Sequence, residues 1–216
     1  MTTPDLKLLI GPKNRSSWSM RAWLILTHFG IPFAEDNVDY NKPQGYRRLK
    51  EISPSSWVPV LWNGELAVWD TLAIAEHLAE IFPEHELWPT DVSARARARS
   101  VTAEMHSGFG GIRNEMHMVI TATGLFVAPG RECRDDILRI QHIWNKCRTE
   151  FGEGGPFLFG KFSIADAFYA PVVARFRTYG IKCDGAAADY AEAIWALPAM
   201  QAWLKGAEAE VRDGIG

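Results

Sequence analysis

Trp57-Val58-Pro59-Val60-Leu61-Trp62-Asn63-Gly64-Glu65-Leu66-Ala67-Val68-Trp69-Asp70-Thr71 reads as two short apolar strands joined by a tight turn. Asn63-Gly64 is a strong hairpin signal because both residues tolerate positive φ. Pro59 cannot donate a ladder bond, so it belongs at the start or edge of the first strand. Asp70 or Thr71 then caps a helix whose apolar stripe is Leu72, Ile74, Ala75, Leu78, Ala79 and Phe82. Strand, turn, strand and acid-capped helix together make a compact site for a small peptide-like ligand.

Upstream, Leu6–Ile10 reads as a buried strand, broken by Gly11-Pro12-Lys13-Asn14-Arg15. Ser16 or Ser17 caps a helix to about Phe29, which Gly30 and Pro32 end. Phe33–Val38 is a second strand, followed by a polar loop and a short helix near Gly45–Glu51. The order predicts a small α/β domain over 1–83, its first strands joined by a parallel crossover. From about Asp91 the periodicity is helical throughout, predicting an all-helical domain over 91–216. Its first helix opens at Pro89-Thr90-Asp91 and carries His106, Arg113 and His117; another spans about Arg131–Phe151. After a glycine-rich loop, Ser163-Ile164-Ala165-Asp166 resembles a capping box opening an apolar helix to Tyr179, and the last helix starts near Pro198.

A net charge of −3 gives no electrostatic case for nucleic acid or an anionic membrane. No apolar run approaches the length of a membrane span, and Met1-Thr2-Thr3-Pro4-Asp5 lacks a secretory start. Cys133, Cys147 and Cys183 stand far apart without a CxxC, which suggests neither a disulfide framework nor a zinc site and makes a reduced cytoplasm the expected compartment.

Arg15-Ser16-Ser17-Trp18-Ser19-Met20-Arg21 resembles the Arg-Ser-Ser-Cys-x-x-Arg signature of zeta-class (maleylacetoacetate isomerase) members of the cytosolic glutathione transferases. Val58-Pro59 resembles that family's Val-cis-Pro, Asp70-Thr71 its acidic-hydroxyl pair, and Ser163-x-x-Asp166 its helix-nucleating cap. Glu104-Met105-His106-Ser107-Gly108-Phe109 also looks like bacterial members whose substrates are unassigned. Trp18 replaces the signature cysteine, a departure from the isomerase pattern. The resemblance implies a thioredoxin-like glutathione-binding domain and a helical domain that supplies an electrophile site. It further implies a homodimer without a metal, detoxification chemistry, and glutathione as co-substrate with a small electrophilic or hydrophobic partner. Isomerisation, peroxide reduction, and non-catalytic binding of glutathione or a hydrophobic ligand remain alternatives.

The chemistry follows from sulfur. A free thiol ionises near pH ~8.5, and lowering that by about two units takes roughly 2.7 kcal/mol of preference for the anion. One hydroxyl bonded to the anion supplies about 1.5–3 kcal/mol, and a helix N-terminus about 0.3–1 kcal/mol. Ser16, with Ser17 second, is the expected thiolate donor; on the residues alone, both read as helix caps. Trp18 stands beside them. By resemblance Val58 pairs with the cysteinyl backbone and Asp70 attracts the γ-glutamyl ammonium. The N–H groups that Asp70 and Thr71 cap meet its carboxylate, while Gln44 reaches the glycyl end. Pro59 alone reads more simply as a trans edge residue.

On the electrophile side, His106, Arg113 and His117 fall on one helical stripe, with Phe109 between them. The stripe reads either as a cationic wall for an anionic or carbonyl-bearing substrate or as a solvated or dimer-facing surface. Gly108, Gly110 and Gly111 cost helix stability there, which suggests a bend or a close approach by another element.

Overall fold

The computed structural model describes residues 5–215. Residues 1–4, on which part of the reading of the start rests, and residue 216 lie outside them. Four strands, β1 (Leu6–Ile10), β2 (Ala34–Asn37), β3 (Val60–Asn63) and β4 (Leu66–Trp69), form one sheet in the order β2-β1-β3-β4. β1 and β2 are parallel; β1–β3 and β3–β4 are antiparallel, with Asn63 still in β3 opposite Leu66, so the turn is Gly64-Glu65, one residue later than the Asn63-Gly64 expected. Gly64 there has φ 57°, the left-handed region the turn demands.

Strand alternation splits the core in two. Leu6, Leu8 and Ile10 face α1 (Ser17–His28) and α3 (Thr71–Ile81), while Leu9 and Val60 meet Leu49 of α2 (Pro43–Ile52) on the other face. After a 3-10 turn at Pro83–His85 come α4 (Val92–Ser107), α5 (Gly110–Glu115), α6 (Arg131–Phe151), α7 (Ile164–Tyr179), α8 (Ala186–Ala196) and α9 (Pro198–Arg212). The α/β-then-all-α architecture is the one expected, and among the described residues no helix is long and apolar enough to cross a membrane.

α7 is buried on nearly every side, so its start must satisfy its own donors. The Asp166 carboxylate accepts the Ser163 N–H at 2.8 Å, the Ser163 hydroxyl at 3.0 Å and the Leu158 N–H at 3.1 Å. Burial nonetheless pushes its pKa up to about 6.

Two further expectations need correction. The helix opened by Asp91 ends at Ser107 instead of running through His117: Gly108 is extended and Phe109 has φ 62°, a conformation unusual for a bulky residue. The glycines mark a close approach, since a Cβ on Gly111 would lie 2.5 Å from the Cys133 amide nitrogen of α6. α8 was not anticipated; its alanine-rich stretch carries few apolar periodic residues beyond Tyr190 and Ile194.

Candidate active site

The loop Gly11–Arg15 leads from β1 into α1, and Ser16 is the cap. Its Oγ accepts the Ser19 N–H at 3.4 Å and donates to Ser19 Oγ at 2.7 Å, which in turn accepts the Gly11 N–H at 3.1 Å. Ser16 is only 4% exposed. Ser17 opens the helix, and its Oγ accepts from Arg175 Nη2 of α7 at 3.3 Å.

Ser16, Ser17 and Trp18 line a cavity of about 360 Å³ with Tyr40, Tyr46, Trp57 and Val58. A second cavity of about 240 Å³ is lined by Trp18, Trp57, Val58, Pro59, Trp69, Asp70 and Thr71. The two share Trp18, Trp57 and Val58 in their walls, so they adjoin between the start of α1 and the start of α3. Val58–Pro59 is cis. Among the described residues, neither the amide nor the carbonyl of Val58 has an intramolecular hydrogen-bond partner. Trp57, 76% exposed, stands at the rim.

At the far end Asp70, with φ 73°, caps α3, its Oδ1 accepting the N–H of Leu72 at 2.8 Å and of Ala73 at 3.4 Å. Those donors are therefore taken by the chain's own carboxylate, which corrects the expectation that they meet a ligand. Thr71 differs: its hydroxyl is buried without a partner at the cavity wall. Asp70 Oδ2 lies 3.2 Å from His106 Nε2.

His106 also meets the edge of Trp18, ring centroids 5.3 Å apart. The indole packs against two cations, the Arg21 guanidinium at 4.3 Å and that of Arg113 at 4.9 Å from its centroid. Arg21, 1% exposed, lies between Trp18 and Phe168, and its Nε and Nη1 have no partner. Burial, then Arg113 and Arg175, pushes its pKa down. Burial likewise lowers His106, opposed by Asp70 and reinforced by Arg21 and Arg113. Arg113 is lowered by burial too, and Arg175 is brought to about 10. Arg113 is held by the carbonyls of Gly108, at 2.9 Å, and Met105. Phe109 is buried at the hinge between α4 and α5.

The structure thus gathers Ser16, Ser17, Trp18, Val58, Pro59, Asp70 and Thr71 around two adjoining cavities, with His106 and Arg113 behind Trp18. It does not bring Gln44, Phe109 or His117 there. Gln44 is exposed on the first turn of α2, outside both linings, and His117 is exposed beyond the end of α5, off the supposed stripe. Reading the residues missed Tyr40, Tyr46, Arg21 and Arg175, which reach the region from separate elements. Among the described residues no group of three or more His, Cys, Asp or Glu side chains is arranged to hold a metal.

Residues 15–81 match the family model described as "Glutathione S-transferase, N-terminal domain", and residues 135–206 match its C-terminal counterpart. A stringent starvation protein A homolog of Coxiella burnetii is 26% identical over 217 residues, 97% of each chain. A probable maleylacetoacetate isomerase of Caenorhabditis elegans is 32% identical over 100 residues, 46% of this chain and 47% of that protein. A Burkholderia glutathione transferase homolog with bound glutathione superposes with a TM-score of 0.71 at 22% identity, covering 95% of this chain and 99% of that one. A zeta-class maleyl pyruvate isomerase does so at 0.71 and 20%, covering 93% and 97%.

Proposed function

The chain belongs to the glutathione S-transferase family, and from that premise we propose that it binds glutathione in the groove between α1 and α3 and presents it as a thiolate to a small electrophile. The observation that carries this reading is the junction of the two cavities at Trp18, Trp57 and Val58. It gives a tripeptide one path past three kinds of partner. The sulfur lies at Ser16, where a hydroxyl and the positive end of α1 favour the anion. The cysteinyl backbone adds to the free N–H and C=O of Val58 in strand fashion. The γ-glutamyl end meets the unpaired Thr71 hydroxyl, with the Asp70 carboxylate beside its ammonium.

Ser16 acts by donating a hydrogen bond, not as a base, so its proton must turn from Ser19 Oγ to the sulfur. His106 and Arg113, backed by the crowded cations Arg21 and Arg175, favour an electrophile that carries a carboxylate or carbonyl. A homodimer completes the proposal; Leu66 and Trp69 on β4, Val92 on α4 and Leu138 on α6 are exposed apolar residues available to a second copy. Light scattering tests that part.

A second reading is a glutathione-binding protein without useful turnover. One observation favours it: the Ser16 proton already has an acceptor in Ser19 Oγ. Ultraviolet difference absorbance of bound glutathione separates the two. A thiolate band at neutral pH supports the enzyme, and its absence supports the binder. A screen of aryl halides, organic peroxides and maleylacetone analogues then identifies the electrophile class.

A further inference from the structure

Ser16 is not the only hydroxyl in its cavity. Tyr40 arrives from the segment after β2, where a tight backbone turn (Tyr40 N–H to Val38 carbonyl, 3.0 Å) follows the bond from the Val38 N–H to the Ile10 carbonyl at 2.9 Å. Its ring lies against the start of the β1–α1 loop: a Cβ built on Gly11 would fall 2.2 Å from the ring carbon Cε1. Only a residue without a side chain lets the ring pass, so Gly11 and Tyr40 are matched across the loop. The phenol then sits beside the Ser16 hydroxyl, and both line the wall that Val58 and Trp18 share.

The two hydroxyls are not equivalent. Ser16 already spends its proton on Ser19 Oγ at 2.7 Å, and its own oxygen serves the Ser19 amide; the Tyr40 phenol is bonded to Ser16 and turns from it to the sulfur when glutathione binds. A phenol is a far stronger acid than an alcohol, so it makes the better hydrogen-bond donor to an anion. We propose that Tyr40 is a catalytic residue of this chain, donating its phenolic hydrogen bond directly to the glutathione sulfur alongside Ser16. The inference rests on the glutathione reading above and adds a residue to it. The thiol proton leaves to bulk water as glutathione binds; neither hydroxyl accepts it. Burial raises the Tyr40 pKa, so the phenol stays protonated and able to donate at neutral pH.

The test is the pH titration of bound glutathione by ultraviolet difference absorbance. It uses the full chain as wild type, Tyr40→Phe, Ser16→Ala and the double variant. Phenylalanine keeps the ring against Gly11, so the fold is retained and circular dichroism verifies it. The expected result is a thiol pKa about one unit higher in Tyr40→Phe, a tenfold change in proton affinity, with a further rise of similar size when Ser16→Ala is combined with it. Tyr40→Phe titrating like the wild type overturns the assignment while leaving the glutathione reading intact. So does a double variant no different from Ser16→Ala, which would make Tyr40 a residue acting only through Ser16. A wild type that binds no glutathione, or binds it only as the thiol, removes the glutathione reading itself and Tyr40 with it.

Discussion

Glu210→Ala removes the one acid of α9 that reaches into the α/β half of the molecule. Its Oε2 accepts the Lys13 N–H at 2.6 Å and its Oε1 accepts from Asn37 Nδ2 at 2.5 Å, with Lys13 Nζ 3.7 Å away. Lys13 and Glu210 are 7% and 8% exposed. Breaking a buried pair by deleting one partner costs about 3–5 kcal/mol, because the other charge stays behind. Here Lys13 keeps Glu35 as a second partner, which puts the loss at the lower end, about 3 kcal/mol. A net stability of roughly 5–15 kcal/mol makes that a large fraction.

Glu210→Gln fares better, about 1.5 kcal/mol, since the amide still accepts one of the two donors. Burial outweighs the Lys13 and Asn37 contacts and raises the Glu210 pKa. A carboxyl with a raised folded pKa binds more protons folded than unfolded, so its contribution falls as pH rises from its ordinary value through the folded one. The advantage of wild type over Glu210→Gln is therefore larger below that window and smaller above it. Urea unfolding followed by far-ultraviolet circular dichroism reads both effects. A Glu210→Ala midpoint within about 0.5 kcal/mol of wild type, or a Gln difference that widens with pH, refutes the reasoning.

Ser16→Ala should lower turnover about tenfold to a hundredfold and leave glutathione affinity nearly unchanged, because the hydroxyl favours the anion and not the tripeptide; steady-state kinetics and calorimetry check the split, and a collapse in Ser17→Ala instead moves the role one residue along. Asp70→Ala should weaken glutathione binding and cost about 1 kcal/mol of stability through the lost α3 cap; titration and thermal unfolding measure the two, and normal affinity removes Asp70 from the site. Gly11→Ala should destabilise the chain by about 1–3 kcal/mol as its methyl meets the Tyr40 ring; an unchanged denaturation midpoint means the loop yields without cost.

What was legible in the sequence was local. The hairpin at Gly64, found one residue early, the caps Ser16 and Asp70, and Ser163 with Asp166 each act on backbone within a few residues, so their spacing suffices to find them. Tyr40, Arg175 and Glu210 act across 24, 158 and 197 positions, and nothing in their neighbourhoods marks them. Gln44 lies outside both cavity linings, and a polar loop offers no periodicity by which its place could have been fixed. His117 failed for a conformational reason: extending a helical stripe past Gly108 assumed Phe109 would be right-handed, and it is not. Arg21 lay within the quoted signature, yet its burial between two rings depends on Phe168 of a distant helix.

The Gly11–Arg15 loop is fastened from later parts of the chain on two sides, by Glu210 and Trp203 of α9 and by Ile120 and Thr121, whose N–H groups bond Asn14 at 3.2 and 3.3 Å. During synthesis the sheet and its first helices leave the ribosome long before those fasteners exist. A nascent chain thus carries every groove-lining residue while these bonds to the loop still wait for residues 120–210 to emerge.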